Sequence, residues 1–356
     1  MSDLKDFIAS VSGDAHLCIE ENLGSGFVRL RTAEAERRQA KHDIRCVEDL
    51  IVEMLRNARD AHAHTIYVSI LRDAEKKYIT FLDDGDGVPQ DLQEAIFEPR
   101  VTSKLETMVM DKWGVHGRGM ALYSIKMNTE DAHVAASNVG GGSSFFVEVD
   151  LNRLSEKKDQ STYPQLIREE DGSITVGNGP HNAIRTIIEF ALEHKDSVTV
   201  YLGSPTEILA TLVKNGRKSL TDEQLLFCDD INSLPVCVRA AAASDATELQ
   251  KVAENLALPI SERTAHRILA GQIDTLIPPL KKISPHHAKK QINNVDIYKD
   301  SRGLKISSED LDMFARKLED SFDSIAQRYY IQLSDSPKIR VGKDSITVKF
   351  PVEKEL

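Results

Sequence analysis

Between Ile44 and Ala61 the sequence makes two demands on one helix. Ile44, Val47, Leu50, Ile51, Met54 and Leu55 recur at helical spacing, so one face belongs in a core. Glu53, Asn57 and Asp60 fall at i, i+4 and i+7, so three polar groups project together from another side. A core face does not accept three polar groups in register. Whatever fold holds this helix must give it a core on one side and either water or a polar site on the other. A carboxylate and an amide one turn apart suit a general base beside a hard-cation ligand, because Mg²⁺ takes oxygen donors and retains several waters. A solvated helix face is the alternative.

Four further segments carry chemistry only in combination. The strand-like run Lys77–Leu82 enters Asp83-Asp84-Gly85-Asp86-Gly87-Val88-Pro89, where glycines let backbone approach a planar ligand and a strand-end carboxylate can accept from an exocyclic amine. A plain turn has the same composition. Thr102-Ser103-Lys104 offers two hydroxyls and an ammonium to a phosphate. Gly114-Val115-His116-Gly117-Arg118-Gly119 opens an apolar helix, and exposed amides at a helix N-terminus attract anions. It lacks the P-loop lysine, and it has no short βαβ unit followed by an acidic residue, which argues against a dinucleotide fold. Gly140-Gly141-Gly142-Ser143-Ser144-Phe145 reads by itself as a hairpin turn between two strands.

In order, these segments spell E-x-x-x-N-A-x-D-A, D-x-G-x-G-x-P, T-S-K, G-x-H-G-x-G and G-G-S-x-F across residues 53–145. The series resembles the GHKL ATPases, which include DNA gyrase B, MutL, the ninety-kilodalton heat-shock chaperone and histidine kinases. The resemblance covers about the first 150 residues. It implies an α+β Bergerat fold, a two-layer sandwich of mixed sheet and helices that holds ATP and Mg²⁺ under a lid. By motif position, Glu53 would be the general base and Asn57 the Mg²⁺ ligand, with Asp60 supporting the site. Asp83 would bind the adenine amine, Gly85 and Gly87 would shape the adenine pocket, and Ser143 would stand near the adenine. Thr102, Ser103 and Lys104 would lie near the phosphates or lid. Gly117 and Gly119 would form the lid turn, with His116 and Arg118 beside it. Glu at position 53 and the G-V-H-G-R-G lid resemble the hydrolysing branch, whereas F-E-P before T-S-K resembles sensor kinases. His42 stands where a phosphoacceptor might be sought, yet only eleven residues separate it from Glu53, too few for a dimerisation helix pair. An ATPase is therefore expected first, with a histidine or anti-sigma-type kinase, or a non-hydrolysing ATP sensor, as alternatives.

The chain has 356 residues, enough for two to three domains, with 45 Lys plus Arg against 56 Asp plus Glu. Its net charge of −11 excludes a polyanion binder as a whole, and the acidic excess is concentrated in the first 150 residues. Four scattered cysteines, Cys18, Cys46, Cys228 and Cys237, make neither a disulfide framework nor a zinc site. With no membrane-length apolar run and no signal-peptide pattern, the expectation is a soluble cytoplasmic protein without membrane partners.

The polar stretch Asn152–Pro164 is the best linker candidate. The domains expected are therefore 1–153 for ATP, a small α/β unit at 165–235 that resembles a transducer, a helical region at 240–303, and a helix plus β-hairpin at 304–356. Lys214 is a candidate γ-phosphate lysine or a solvated helix-end lysine. Residues 246–271 read as two helices about a tight turn and resemble a helix-turn-helix, which would present Ser261, Arg263, Thr264 and Arg267 to DNA. Lys281, Lys282, Lys289, Lys290, Lys299, Arg302 and Lys305 then form a basic strip. DNA through 246–305 and a homodimer are candidate partners beside ATP; a helix hairpin and a solvated linker are the plainer readings.

Overall fold

The computed structural model describes residues 19–32, 34–40, 42–103, 109–111, 114–116, 119–157, 163–164, 166–168, 173–177, 179–221, 230–281, 308–329, 331–341 and 346–354. The chain divides into two units, 1–286 and 287–356.

The first unit is organised around a five-stranded mixed sheet. It contains β3 (Thr65–Asp73), β4 (Lys76–Asp83), β8 (Asp131–Ser137), β9 (Ser143–Asp150) and β12 (Thr199–Gly203), in the order β12-β3-β4-β9-β8. β12 runs parallel to β3, and every other pair is antiparallel. One face, with Ile66, Val68, Ile79, Phe81, Val147 and Val149, is covered by α2 (Val47–Asp60), α3 (Ala121–Asn128) and α4 (Ala183–Glu193). Two more sheets lie in the first 120 residues: β1 (Ile19–Gly24), β2 (Phe27–Leu30) and β5 (Val101–Thr102), and the pair β6 (Val109–Asp111) and β7 (Gly114–His116). The short helix α1 (Glu34–Ala40) precedes α2, and β10 (Leu166–Arg168) pairs with β11 (Ile174–Val176).

The mixed sheet and its helical layer are those the resemblance implies, but the sandwich has three layers, not two. The second face, with Tyr67, Leu82 and Ala136, is buried under α5 (Pro205–Ser219), the turn at 236–241, α6 (Ala246–Asn255) and α7 (Glu262–Leu269). The reason lies in β3 and β4, where successive residues Ile66 to Ser69 and Ile79 to Asp83 are all buried. Strands buried on both faces carry continuous apolar runs instead of alternation. Buried hydroxyls on this face find partners at the exit of α6: Thr80 Oγ1 donates to Ala257 O at 2.7 Å and Ser144 Oγ to Leu256 O at 2.8 Å. Carbonyls orphaned at a helix end are thereby satisfied.

The expected boundary at 153–165 therefore separates no cores. Residues 165–235 supply an edge strand and a covering helix on each face, and 240–281 completes the second layer. The start of the expected linker is also tied down. Val47 N donates to Ser155 O at 3.1 Å, Lys157 N to the buried Glu48 carboxylate at 3.1 Å, and Lys77 pairs with Glu156. Caps close the helices locally: Asn182 accepts from Arg185 N at 2.8 Å, and Ser204 and Glu207 form a reciprocal capping box with Pro205 at the first turn of α5.

The second unit holds α8 (Ser308–Tyr329), β13 (Ile331–Leu333), β14 (Lys338–Val341), β15 (Ile346–Lys349) and β16 (Val352–Lys354). β14 pairs antiparallel with β15 and β13 with β16, and Phe322 stacks on Phe350 at 4.9 Å. No described helix is long and apolar enough to cross a membrane.

Candidate functional site

A cavity of 860 Å³ opens beside α2, within the range of sites that enclose a small-molecule cofactor. Of the residues singled out by sequence, Glu53, Asn57, Asp60, Asp83, Gly87, Thr102, Ser103, Gly119 and Ser143 line it. Gly85 does not, because it is buried behind the wall. A Cβ there would meet Ala61 O at 2.3 Å, so the glycine lets the loop close on the end of α2, where Asp86 N donates to Ala61 O at 2.8 Å. Lys104, Gly117 and Arg118 lie outside the described residues, and the backbone of His116 is in β7.

The helix that opened the sequence reading meets both demands. Val47, Leu50, Ile51, Met54 and Leu55 are in the core, and Glu53, Asn57 and Asp60 border the cavity. Neither carboxylate stands alone. The guanidinium of Arg56, 4% exposed, donates to Glu53, and Arg59 holds Asp60 through Nε at 2.9 Å and Nη2 at 2.7 Å while its Nη1 meets His194 Nε2 at 3.1 Å. The Asn57 Nδ2 atom is buried without a hydrogen-bond partner among the described residues. An orphaned amide on a cavity wall suits a polar ligand, since leaving it unpaired costs free energy.

Asp83 ends β4 directly beside Ser143 of β9. Burial pushes its carboxyl from 3.8 to about 7, helped by the charges of Asp84 and Asp86, against the lowering effect of the Gly85 and Ser143 amides. Gly85 N donates to its Oδ1 at 2.9 Å. Asp84 is structural, accepting from His64 N and Thr65 N at 2.7 Å each. Gly142, at φ +87°, brings its backbone against Asp83 O, where a Cβ would come within 2.0 Å. Gly87, at φ +71°, is packed in the same way against Asn138 O. The loop and the β8–β9 turn thus form one close-packed backbone wall.

At the other group of motifs, Arg100 N donates to Gly119 O at 2.8 Å and Gly119 packs on Val101 and Thr102. The hydroxyl segment and the end of the glycine-rich segment therefore share one place. Among the described residues no cluster of three His, Cys, Asp or Glu could cage a metal. Mg²⁺ at a nucleotide needs no such cage, because phosphates and waters fill most of its shell; the Asn57 side-chain oxygen is a donor type that Mg²⁺ accepts, whereas its orphaned Nδ2 suits an anionic oxygen.

Sequence reasoning missed Arg56, and also Ser25 and Phe27, which line the cavity from the first hairpin. A buried arginine three residues after a carboxylate was a readable signal; the hairpin was not, because pairing of β2 with β5 is non-local. Lys214 is absent from the cavity lining, and its Nζ donates to Thr275 at 3.1 Å. Of the predicted DNA-facing residues, Ser261 caps α7 by accepting from Thr264 N at 3.3 Å, while Arg263 and Arg267 are exposed. The basic strip beyond Lys281 lies outside the described residues.

The chain matches the model of histidine kinase-, DNA gyrase B- and HSP90-like ATPases over residues 42–153. No curated protein matches it. Among solved structures, full-length ShkA in complex with AMPPNP is 17% identical over 34% of this chain and 30% of that one, with a TM-score of 0.23. The catalytic domain of the histidine kinase ThkA is 18% identical over 33% of this chain and 68% of that one, with a TM-score of 0.21. The chain thus spans under a third of the ShkA chain it matches. Residues 42–153 carry an ATP-binding domain of the histidine kinase-, DNA gyrase B- and HSP90-like (GHKL) ATPase family.

Proposed function

We propose that this chain binds Mg-ATP in the cavity beside α2 and hydrolyses it, with Glu53 as the base that takes a proton from the attacking water. The carrying observation is that Glu53 and Asn57, one turn apart, line the same cavity as the buried Asp83. Asp83 and Ser143 hold the adenine amine, and Gly87 shapes that pocket. Thr102, Ser103 and Gly119 face the polyphosphate, with Lys104, His116, Gly117 and Arg118 assigned to the lid. Asn57 would hold Mg²⁺, whose charge offsets that of the phosphates. Arg56 keeps the Glu53 carboxylate oriented, and Arg59 does the same for Asp60. Positioning and electrostatics do most of the work in phosphoryl transfer.

The test uses labelled γ-phosphate. Glu53→Ala is expected to bind ATP without releasing phosphate, and Asp83→Asn to lose ATP. Turnover by both variants at the parent's rate would refute the assignment. Label appearing on protein instead of as free phosphate would make the chain a kinase.

A second reading is ATP-linked DNA binding by α7. It is favoured by the exposed Arg263, His266 and Arg267 on that helix, and opposed by Glu262 among them. Fluorescence anisotropy with duplex DNA decides it: a steep salt dependence that the Arg263→Ala/Arg267→Ala double variant loses supports it, and no retention at low salt ends it.

A further inference from the structure

One wall of the cavity is built by residues that precede the family match. β1 and β2 form a hairpin closed by the ladder pair Gly24↔Phe27, with Ser25 and Gly26 as its two-residue turn. β2 pairs with β5 in the register Val28↔Thr102, which brings Phe27 level with Ser103 at the phosphate-facing motif. Ser25 and Phe27 both line the cavity.

The base of this hairpin is fixed and its tip is bare. Leu23 and Phe27 pack on the core, and Arg29 pairs with both Glu21 and Glu98. Gly24, Ser25 and Gly26 are exposed, and a Cβ added at either glycine would meet nothing within 4 Å. All three have positive φ, at 84°, 49° and 83°. Two-residue turns with positive φ at both positions strongly favour Asn-Gly or Asp-Gly. This chain has Ser-Gly, a poorer turn former that adds a hydroxyl donor and no charge. The Gly24 amide is used locally, donating to Asn22 Oδ1 at 3.0 Å, whereas the Ser25 and Gly26 amides lie outside the β1–β2 ladder. Glycine-flanked amides and a hydroxyl beside a cavity suit a polyanion, because no side chain keeps the backbone from the ligand.

We propose that the Gly24–Phe27 tip is a flap of the nucleotide site, in which the Ser25 hydroxyl and the Ser25 and Gly26 amides contact the polyphosphate and Phe27 anchors the flap to the wall. The inference rests on the ATP reading above. It adds a binding element that lies outside residues 42–153.

Calorimetry on the full chain with Mg-ATP, Mg-ADP and adenosine tests it through Ser25→Asp and Ser25→Asn. Both substitutions favour the turn, so the hairpin is retained, but only aspartate places a negative charge against the phosphates. Ser25→Asp is expected to weaken Mg-ATP about tenfold and Mg-ADP less, leaving adenosine unchanged. Ser25→Asn is expected to stay within about twofold of the parent. Parent-like Mg-ATP affinity in Ser25→Asp, or equal losses for ATP and adenosine, would overturn the flap while leaving the ATP reading standing. A parent chain that binds none of the three would overturn both.

Discussion

The buried guanidinium of Arg56 grips the carboxylate of Glu53 from one helical turn away, so the proposed base is held by its own helix. Removing the cation takes away one partner of that carboxylate in a site that is only partly open. Arg56→Met is therefore expected to cost about 1–3 kcal/mol of stability, less than a wholly buried pair would lose because Glu53 retains some exposure. It should also lower turnover, since the proposed base loses the group that orients it. Parent-like turnover in steady-state assays would show that Arg56 does not hold the base during turnover.

Asp83 offers a test in which stability and binding move in opposite directions. Its folded pKa, raised to about 7, means that the stability it contributes is present below the ordinary carboxylate range and is lost as pH rises through 7. Asp83→Asn cannot ionise. The variant's stability advantage over the parent in thermal melts should therefore grow from pH 5 to pH 8, by on the order of 2 kcal/mol. It should bind no ATP at either pH. The parent's own ATP affinity should fall as pH drops below 7, because the adenine amine needs an unprotonated acceptor.

Gly142→Ala places a methyl group 2.0 Å from Asp83 O at a backbone φ of +87°. Neither the contact nor the conformation can be relieved locally, so a loss of about 3 kcal/mol or more is expected together with loss of nucleotide binding. Gly140→Ala is the control. That residue also has positive φ, at +70°, but nothing lies within 4 Å of its Cβ position, so urea titration should show a much smaller loss.

A fragment ending at residue 157 spans the whole family match and should still fail as a soluble monomer. It would expose Tyr67, Leu82 and Ala136 on one sheet face and leave β3 as an open edge. Size-exclusion chromatography of 1–157 against 1–286 checks this. In the longer protein, Thr80→Val and Ser144→Ala should each cost about 1 kcal/mol by uncoupling the sheet from the end of α6.

The grouping of residues around the cavity was legible because its motifs are local. Glu53 and Asn57 on one helix, Asp83 at a strand end and the glycines beside them suggest their proposed roles within a few residues. The layer count was hidden. Tyr78-Ile79-Thr80-Phe81-Leu82 carries the continuous apolar signature of a strand covered on both sides, but its second cover comes from residues more than a hundred positions away. The polar run from Asn152 looked like a linker because its stabilising partners, Glu48 and Lys77, are distant in sequence. Arg56 and Arg59 each hold a carboxylate on the cavity wall, which the spacing of Glu53, Asn57 and Asp60 does not by itself reveal.

Thr199 sits beside Thr65 in the parallel β12–β3 pair, which fixes an order of events during synthesis. The ATP-binding segment leaves the ribosome well before the strand that finishes its sheet, and before α5 and α6, which cover its back. Until then its apolar second face has no native partner. Non-local parallel pairing is slow to form, so the nascent chain passes through a stage in which nearly all nucleotide-site residues have been made and the sheet beneath them is incomplete. The sheet is thus closed only after about 57% of the chain, where β12 ends, and its second face is covered only after about 72%, where α6 ends.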